Sequence, residues 1–502
     1  SPAEMSVGDI LSIQLGEVGT ESISFAGVSG AAEFIFIAGS AKDGGGGSIM
    51  QFAEDVSVLS SNPIEKSLQI NSHQQDDFAE ADEDVFKSQQ MFDAWLRASE
   101  AQMHAEQVSL GKSLLLDSPS TITSVKAVSV GDIETFKVLS SITSVSSYNE
   151  ISAEAKCVGD YVNLYVDTRV SESALSSSDV AELCAEYDAA AKSECELLGS
   201  LSDCNTDAVM TYGINELSRL ANGIITGYFW AGDLLECSGN VVCNNREVIF
   251  QLAPDPEGEY GPSVSNSFCM NNLCPAAFPH ELQHLLSYKL HVFENGGSPE
   301  VSWLNESISH LMEDLMGFGN ENPSRYDLFL ASPALTGLVT TSSPGLLERG
   351  AGYLFLRFLY EQAENKDQFM RSLLQTNLTG VSNLENAFAG PDDFDQFSEF
   401  FGRWTIAVAL TNRGVTSDPR YVYDERTFNS TTQNWEGVCL ICSAEDGRGT
   451  VLTGVTLSNF GPSNEFFVDS SAAKYYYLST PPENIVLQGS GTSDFGMLIR
   501  IE

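Results

Sequence analysis

Ala276-Ala277-Phe278-Pro279-His280-Glu281-Leu282-Gln283-His284-Leu285-Leu286-Ser287-Tyr288 is the stretch on which the reading of this chain turns. Its apolar residues Phe278, Leu285, Leu286 and Tyr288 suit a buried helix, and residues four apart on a helix project from one face. His280 and His284 have that spacing, so both imidazoles can meet one Zn²⁺ while Glu281 reaches a water held on the ion. Zinc acidifies such a water and a neighbouring carboxylate takes its proton, so the pattern points to hydrolysis with Glu281 as general base. Pro279 is at odds with a helix interior, because proline removes a hydrogen bond and clashes with the preceding turn. The active helix is therefore expected to start there, after a loop closed by Cys269 and Cys274.

A zinc site of this kind needs a third protein ligand. The metzincin spacing would put Gly three residues after the second histidine and another His three later, where Ser287 and Leu290 stand. His291, one place further on and without a glycine turn, reads as a second-face histidine. The alternative is a carboxylate on the next helix. In Ser302-Trp303-Leu304-Asn305-Glu306-Ser307, Ser302 is placed to cap a helix running to about Met316, ended by Gly317 and Gly319. The turn Glu294-Asn295-Gly296-Gly297-Ser298-Pro299 returns the chain, so antiparallel helices can bring His280, His284 and Glu306 together with a position left for water. Glu313 and Asp314, about two turns further along, read as solvated or capping carboxylates.

Around this centre the periodicity changes. Alternation of apolar and polar residues (Ile10, Leu11, Ile13, Leu15, then Ile23, Phe25, Phe34, Phe36) predicts an N-terminal β module over residues 1–60. A linker with a helix carrying Phe86, Phe92, Trp95, Leu96 and Met103 follows over 61–120. The word Ser6-Val7-Gly8-Asp9-Ile10 recurs as Ser129-Val130-Gly131-Asp132-Ile133, which suggests a second β module over 121–175. A metallopeptidase-size domain is expected over 176–415, first sheet and then helices, and a C-terminal β module over 416–502.

Four stretches together resemble the gluzincin metallopeptidases, most closely the hyicolysin family: His280 to His284; Trp303-Leu304-Asn305-Glu306; Gly227-Tyr228-Phe229-Trp230-Ala231-Gly232-Asp233-Leu234; and Gly350-Ala351-Gly352-Tyr353-Leu354-Phe355-Leu356-Arg357. They span about residues 178–412. The resemblance implies a secreted endopeptidase with a thermolysin-like zincin domain (a mixed sheet followed by a helical subdomain) and says little about either end; with the strand periodicity of both ends, an α+β chain is expected in which small β-sandwich-like modules flank that domain. It also implies that a substrate backbone adds to an edge strand at residues 224–230, with Gly227, Tyr228, Phe229 and Trp230 as substrate-binding residues. The three aromatic side chains equally suit a strand core. Thermolysin-like enzymes carry Asp four residues after the Glu ligand. His310 stands there instead, and can orient Glu306, bind the transition-state oxyanion or simply pack. Gluzincins also draw an oxyanion donor, Tyr or His, from the helical half; Tyr353 is the candidate, beside its plain reading as a core aromatic.

Composition narrows the partners. With 25 Lys or Arg against 69 Asp or Glu the formal charge is −44, which repels nucleic acid and acidic headgroups and favours a neutral or basic protein or peptide substrate. No apolar run reaches the roughly 18 residues that cross a bilayer, so no membrane insertion is expected. The chain begins at Ser1 without a charged, apolar leader, so any export signal is expected to have been removed or left off. There is no phosphate-cradling glycine loop and no GxSxG word. Asp203-Cys204-Asn205-Thr206-Asp207 lacks the glycine and distal Glu of a Ca²⁺ loop. Two functions stay open: a zinc-dependent endopeptidase holding one Zn²⁺ per chain, and an extracellular adhesion or glycan-binding protein with a vestigial zincin core, which His310 and Pro279 keep in view. Cysteine usage favours a secreted, periplasmic or cell-surface protein, because the ten cysteines include a single CxxC word and read as disulfides rather than a zinc site. Cys237 with Cys243, Cys269 with Cys274, and Cys439 with Cys442 are the expected local loops. Thiol titration under denaturing, non-reducing conditions should find no free thiol; ten would end the disulfide reading.

Overall fold

Alternating apolar residues near both chain ends, with helix-forming sequence between them, give an α+β fold in the computed structural model. The structure describes residues 1–15, 19–54, 80–110, 128–199, 204–235, 237, 242–388, 394–444, 449–461, 463–491 and 493–502. Much of the expected linker over 61–120, the first part of the module expected over 121–175, the side chain of Phe86 and Asp203 lie outside the described residues. In chain order, β1 (Ile10–Gln14), β2 (Thr20–Ser24), β3 (Phe34–Ser40) and β4 (Ser48–Ala53) precede the helix α1 (Glu80–Ser109). Next come β5 (Ile133–Leu139), β6 (Tyr148–Val158), β7 (Val162–Asp167), α2 (Ser177–Leu198), β8 (Thr206–Met210), α3 (Tyr212–Ala221), β9 (Gly227–Phe229) and β10 (Val248–Gln251). A single helical turn, α4 (Asn266–Phe268), leads to α5 (Cys274–Tyr288), α6 (Ser302–Leu315), α7 (Asn322–Ala331), α8 (Leu346–Gln362), α9 (Lys366–Leu374), α10 (Gly380–Ala387) and α11 (Phe397–Leu410). Two hairpins follow, β11 (Thr427–Asn429) with β12 (Asn434–Glu436) and β13 (Ile441–Ser443) with β14 (Val451–Thr453). The last strands are β15 (Leu457–Asn459), β16 (Ser463–Val468), β17 (Ala472–Leu478), β18 (Asn484–Gln488) and β19 (Asp494–Arg500).

The stretches read as separate terminal modules are two halves of one sandwich. β19 lies between β1 and β3 in the order β1-β19-β3-β17-β15, and β18 lies between β4 and β2 in the order β16-β4-β18-β2. Phe36, Phe52, Tyr476 and Leu498 belong to the core between the sheets, with the rings of Phe52 and Tyr476 edge to face at 5.0 Å. Residues 1–54 alone would leave strand edges and an apolar face open; the C-terminal strands supply the missing partners. The module expected over 121–175 is likewise part of something larger. Its strands start the sheet β5-β6-β7-β8-β10-β9, in which β7, β8 and β10 run parallel and β9 closes the far edge antiparallel to β10. The repeated five-residue word encodes a turn rather than a module. In both copies the aspartate carboxylate accepts from the serine N–H, in Ser6 to Asp9 at 2.7 Å and in Ser129 to Asp132 at 2.9 Å.

All ten cysteines pair: Cys237–Cys243, Cys269–Cys274 and Cys439–Cys442 close the expected loops, Cys157–Cys184 ties β6 to α2, and Cys195–Cys204 ties the end of α2 to the approach to β8. Helix α5 is buried along its whole length and packs on α2, α6, β9 and β10. It begins at Cys274, five residues before the start expected from Pro279, which sits inside it. The strain is confined, since the carbonyl that loses its partner is four residues back, at Pro275 in the first turn. Wide π-helical turns, Cys269–Leu273 and Lys289–Glu294, flank the helix. The Tyr187 hydroxyl and the Gln251 amide donate to the Cys274 carbonyl at 2.9 and 3.1 Å, fixing the helix start against α2 and β10. Ser302 does not cap α6: Val301 holds the N-cap position and no side chain caps it.

The pairing of β19 with both β1 and β3 has a direct check. A chain truncated before β19 should be cut by limited proteolysis within residues 1–54, where the full chain is protected; equal protection would show that β1 and β3 do not need that partner.

Candidate metal centre

Helices α5 and α6 pack side by side and turn three donors toward one point. His280 Nε2 lies 3.5 Å from Glu306 Oε2, and His284 Nε2 lies 3.5 Å from Glu306 Oε1. One ligand atom from each residue falls within 4.8 Å of the others, all three side chains are buried, and the group could hold a metal ion. The donor set fits such an ion. Glu306 is inaccessible to water and its Oε1 makes no hydrogen bond, an orphaned buried acceptor of the kind a cation satisfies. Two imidazoles and one carboxylate are also a set that leaves a coordination position open.

Charge around the cluster is balanced by position. Burial would raise the pKa of Glu306, but Arg349, with Nη1 2.8 Å from Oε2, and the two imidazoles hold it well below the carboxylate range. Burial likewise opposes protonation of His280, yet Glu306 and Glu313 lift it to about 10. Burial, helped by the Arg97 guanidinium, keeps His284 well below the usual imidazole range. Arg349 reaches Glu306 because α8 packs closely. A Cβ at Gly350 would collide with the backbone of Arg325, and one at Gly352 with the Ser307 hydroxyl.

Glu281, next to His280, turns toward the sheet. Its Oε2 accepts the Phe229 N–H at 2.9 Å, and burial pushes its pKa up to about 7. β9 therefore meets the cluster through its backbone. The side chains of Tyr228, Phe229 and Trp230 are core: Tyr228 Oη accepts the Leu139 N–H, and Trp230 Nε1 donates to the Val242 carbonyl. Gly227 pairs with Gln251.

Neither protein-family models nor curated proteins match this chain.

Two expectations change here. Glu313 and Asp314 are buried rather than solvated. Glu313 Oε1 stands 2.8 Å from both His280 Nδ1 and His310 Nδ1, and its Oε2 lies 3.0 Å from Arg325. A carboxylate in that place fixes the His280 proton on Nδ1 and leaves Nε2 for an ion. His310 thus joins the cluster through Glu313, its ring 4.9 Å from that of His280, while the cation at Glu306 is Arg349. Tyr353 is not brought to the cluster. Its hydroxyl donates to Asp314 at 3.0 Å and its ring stacks on Tyr326, so its plain reading as a core aromatic holds. Asp314 also takes Arg357 at 2.7 Å and the Gly437 N–H at 2.9 Å.

Glu313 carried a usable signal in its seven-residue spacing from Glu306, close to two helical turns and so on the same face. Arg349 carried none beyond its place before Gly350. If Glu313 orients His280, Glu313→Gln should weaken zinc binding about 10–100-fold in a competitive chelator titration. Unchanged affinity would reduce Glu313 to a packing role.

Proposed function

We propose that this chain is a zinc-dependent endopeptidase of the gluzincin type, acting outside the cytoplasm on neutral or basic proteins or peptides. The observation that carries this reading is the buried convergence of His280, His284 and Glu306 with Glu281 beside them at the sheet edge. The order of sheet, HExxH helix and Glu-bearing helix supports a thermolysin-like arrangement and the resemblance to the hyicolysin family. Five disulfides support an oxidising compartment. Among the described residues no helix is long and apolar enough to cross a membrane.

His280, His284 and Glu306 would hold a Zn²⁺ ion, which would supply Lewis acidity toward a peptide carbonyl and would acidify a water. Glu281 accepts the proton of the attacking water and delivers it to the leaving amine. Burial raises the Glu281 carboxyl above its ordinary value, which favours taking up that proton and giving it back. The Phe229 N–H holds Glu281 in place, and Glu313 holds the tautomer of His280. β9, at the end of the sheet, is the strand to which an extended substrate would add once its outer side is free. His310, bonded to Glu313, serves as a positioning residue in this scheme.

Digestion of casein or a peptide library by zinc-loaded wild type and Glu281→Gln tests the reading. Loss of the general base should lower kcat by about 10²–10⁴-fold, with one zinc per chain retained in both. Equal cleavage by the two proteins would remove Glu281 from the chemistry. A chain that binds no zinc would return the question to the adhesion or glycan-binding alternative.

A further inference from the structure

The free edge of β9 is already covered. β9 pairs with β10 on one side, and on the other it is met by side chains of α1. Gln89 Oε1 accepts the Thr226 N–H at 2.7 Å, and Gln89 Nε2 donates to the Gly227 carbonyl at 3.3 Å. Arg97 Nη2 donates to the Phe229 carbonyl at 2.6 Å, and Glu100 Oε1 accepts the Ala231 N–H at 2.9 Å. An extended peptide adding to this strand would need such main-chain donors and acceptors. The same helix also reaches the metal ligands. Asp93 Oδ2 lies 2.9 Å from Arg349 Nη2, whose other nitrogen contacts Glu306.

The cavities follow from this placement. Beside His280, Glu281 and Arg349 the open space is about 50 Å³, with Gln89 in its wall. That is room for water and not for a peptide side chain. A larger cavity of about 740 Å³ lies beside His284, and Ala94, Arg97 and Ala101 of α1 form part of its wall. With α1 in place, a peptide cannot run along β9 past Glu281.

We propose that α1 is an autoinhibitory strap whose side chains hold the backbone groups of β9 that a substrate main chain would pair with, so that the enzyme is latent until α1 leaves. This rests on the peptidase reading. The buried face of α1 suits release. Phe92 and Leu96 are its fully buried apolar members, with Trp95 and Met103 partly buried against the core, while Ser88, Asp93, Arg97 and Glu100 are polar or charged. Hydrogen bonds of this kind exchange for water or substrate amides with a small net change, whereas a wide apolar stripe does not.

The test is the zinc-loaded full chain carrying Gln89→Ala, Arg97→Ala and Glu100→Ala. These changes remove the three side chains that bond the backbone at residues 226–231, take away both members of the buried Arg97–Glu100 pair so that neither charge is left alone, and leave the metal ligands, Glu281 and Asp93 in place. With several hydrogen bonds removed, kcat/KM on a quenched peptide library should rise about tenfold or more over wild type. Hydrogen exchange at residues 226–231 should quicken, and a synthetic peptide of residues 80–109 added in trans should return the rate toward that of wild type. Faster exchange at 226–231 with unchanged kcat/KM would overturn the strap. If the triple variant loses zinc or its cooperative melt, Gln89→Ala alone is read in the same way. If neither protein cleaves any peptide, binding of a peptidyl hydroxamate separates the two ideas: tighter binding to the variant supports the strap while the peptidase reading falls, and equal binding overturns the strap.

Discussion

A carboxylate with no surface open to water, Glu306, stands between the facing nitrogens of two histidines and against a guanidinium. An unpaired charge in such a place works against folding by several kcal/mol, so the elements around it are arranged to bring positive charge or a cation to it. α8 comes close enough to place Arg349 there because Gly350 and Gly352 carry no side chain. Glu313 presents the same problem one layer out and meets it with Arg325 and two imidazole N–H groups. In a chain with only 25 Lys or Arg against 69 acids, Arg97, Arg325, Arg349 and Arg357 all lie in this region, each paired with a buried carboxylate. Around this cluster the buried carboxylates that meet a guanidinium are individually paired, although elsewhere in the interior buried acids outnumber buried Lys and Arg.

The sheet edge beside this cluster imposes a second requirement. An edge strand presents unpaired N–H and C=O groups that invite another chain, and proteins cover or interrupt such edges. Here the covering is selective. The Phe229 N–H of β9 goes to Glu281, and the Gly227 and Phe229 carbonyls go to side chains of α1. The strand whose N–H holds Glu281 is thus a strand whose outer side α1 covers.

How much of this could be read beforehand depended on the range of each interaction. His280 and His284 are four residues apart, and Glu306 lies one helix further on, so their meeting follows from local periodicity. Tyr353 was beyond reach because what decides its role is Asp314, 39 residues earlier in the chain. Glu313 was set aside for its distance along the helix, although its spacing from Glu306 keeps the two on one face. Alternation near both ends predicted strands and their buried faces, but alternation does not name a partner, and so the single sandwich stayed hidden. The repeated Ser-Val-Gly-Asp-Ile word misled in the opposite direction. Gly8 and Gly131 both take positive φ, 89° and 95°, and both aspartates close the same turn, so identity of five residues reported a local conformation rather than a domain.

The interleaving of β1 to β4 with β15 to β19 also sets a timetable. During synthesis the first four strands emerge with their edges and apolar face bare, and their partners follow only after residues 54–456 have been made. The entropy of closing so long a loop grows slowly with its length, but the search for such distant partners is slow. The early strands are therefore the segment most in need of protection from aggregation before the chain's last strands arrive. The region between has its own sheet, helices and disulfides and can take shape first. The sandwich then closes across that region, as a clasp whose two halves are separated by all of it.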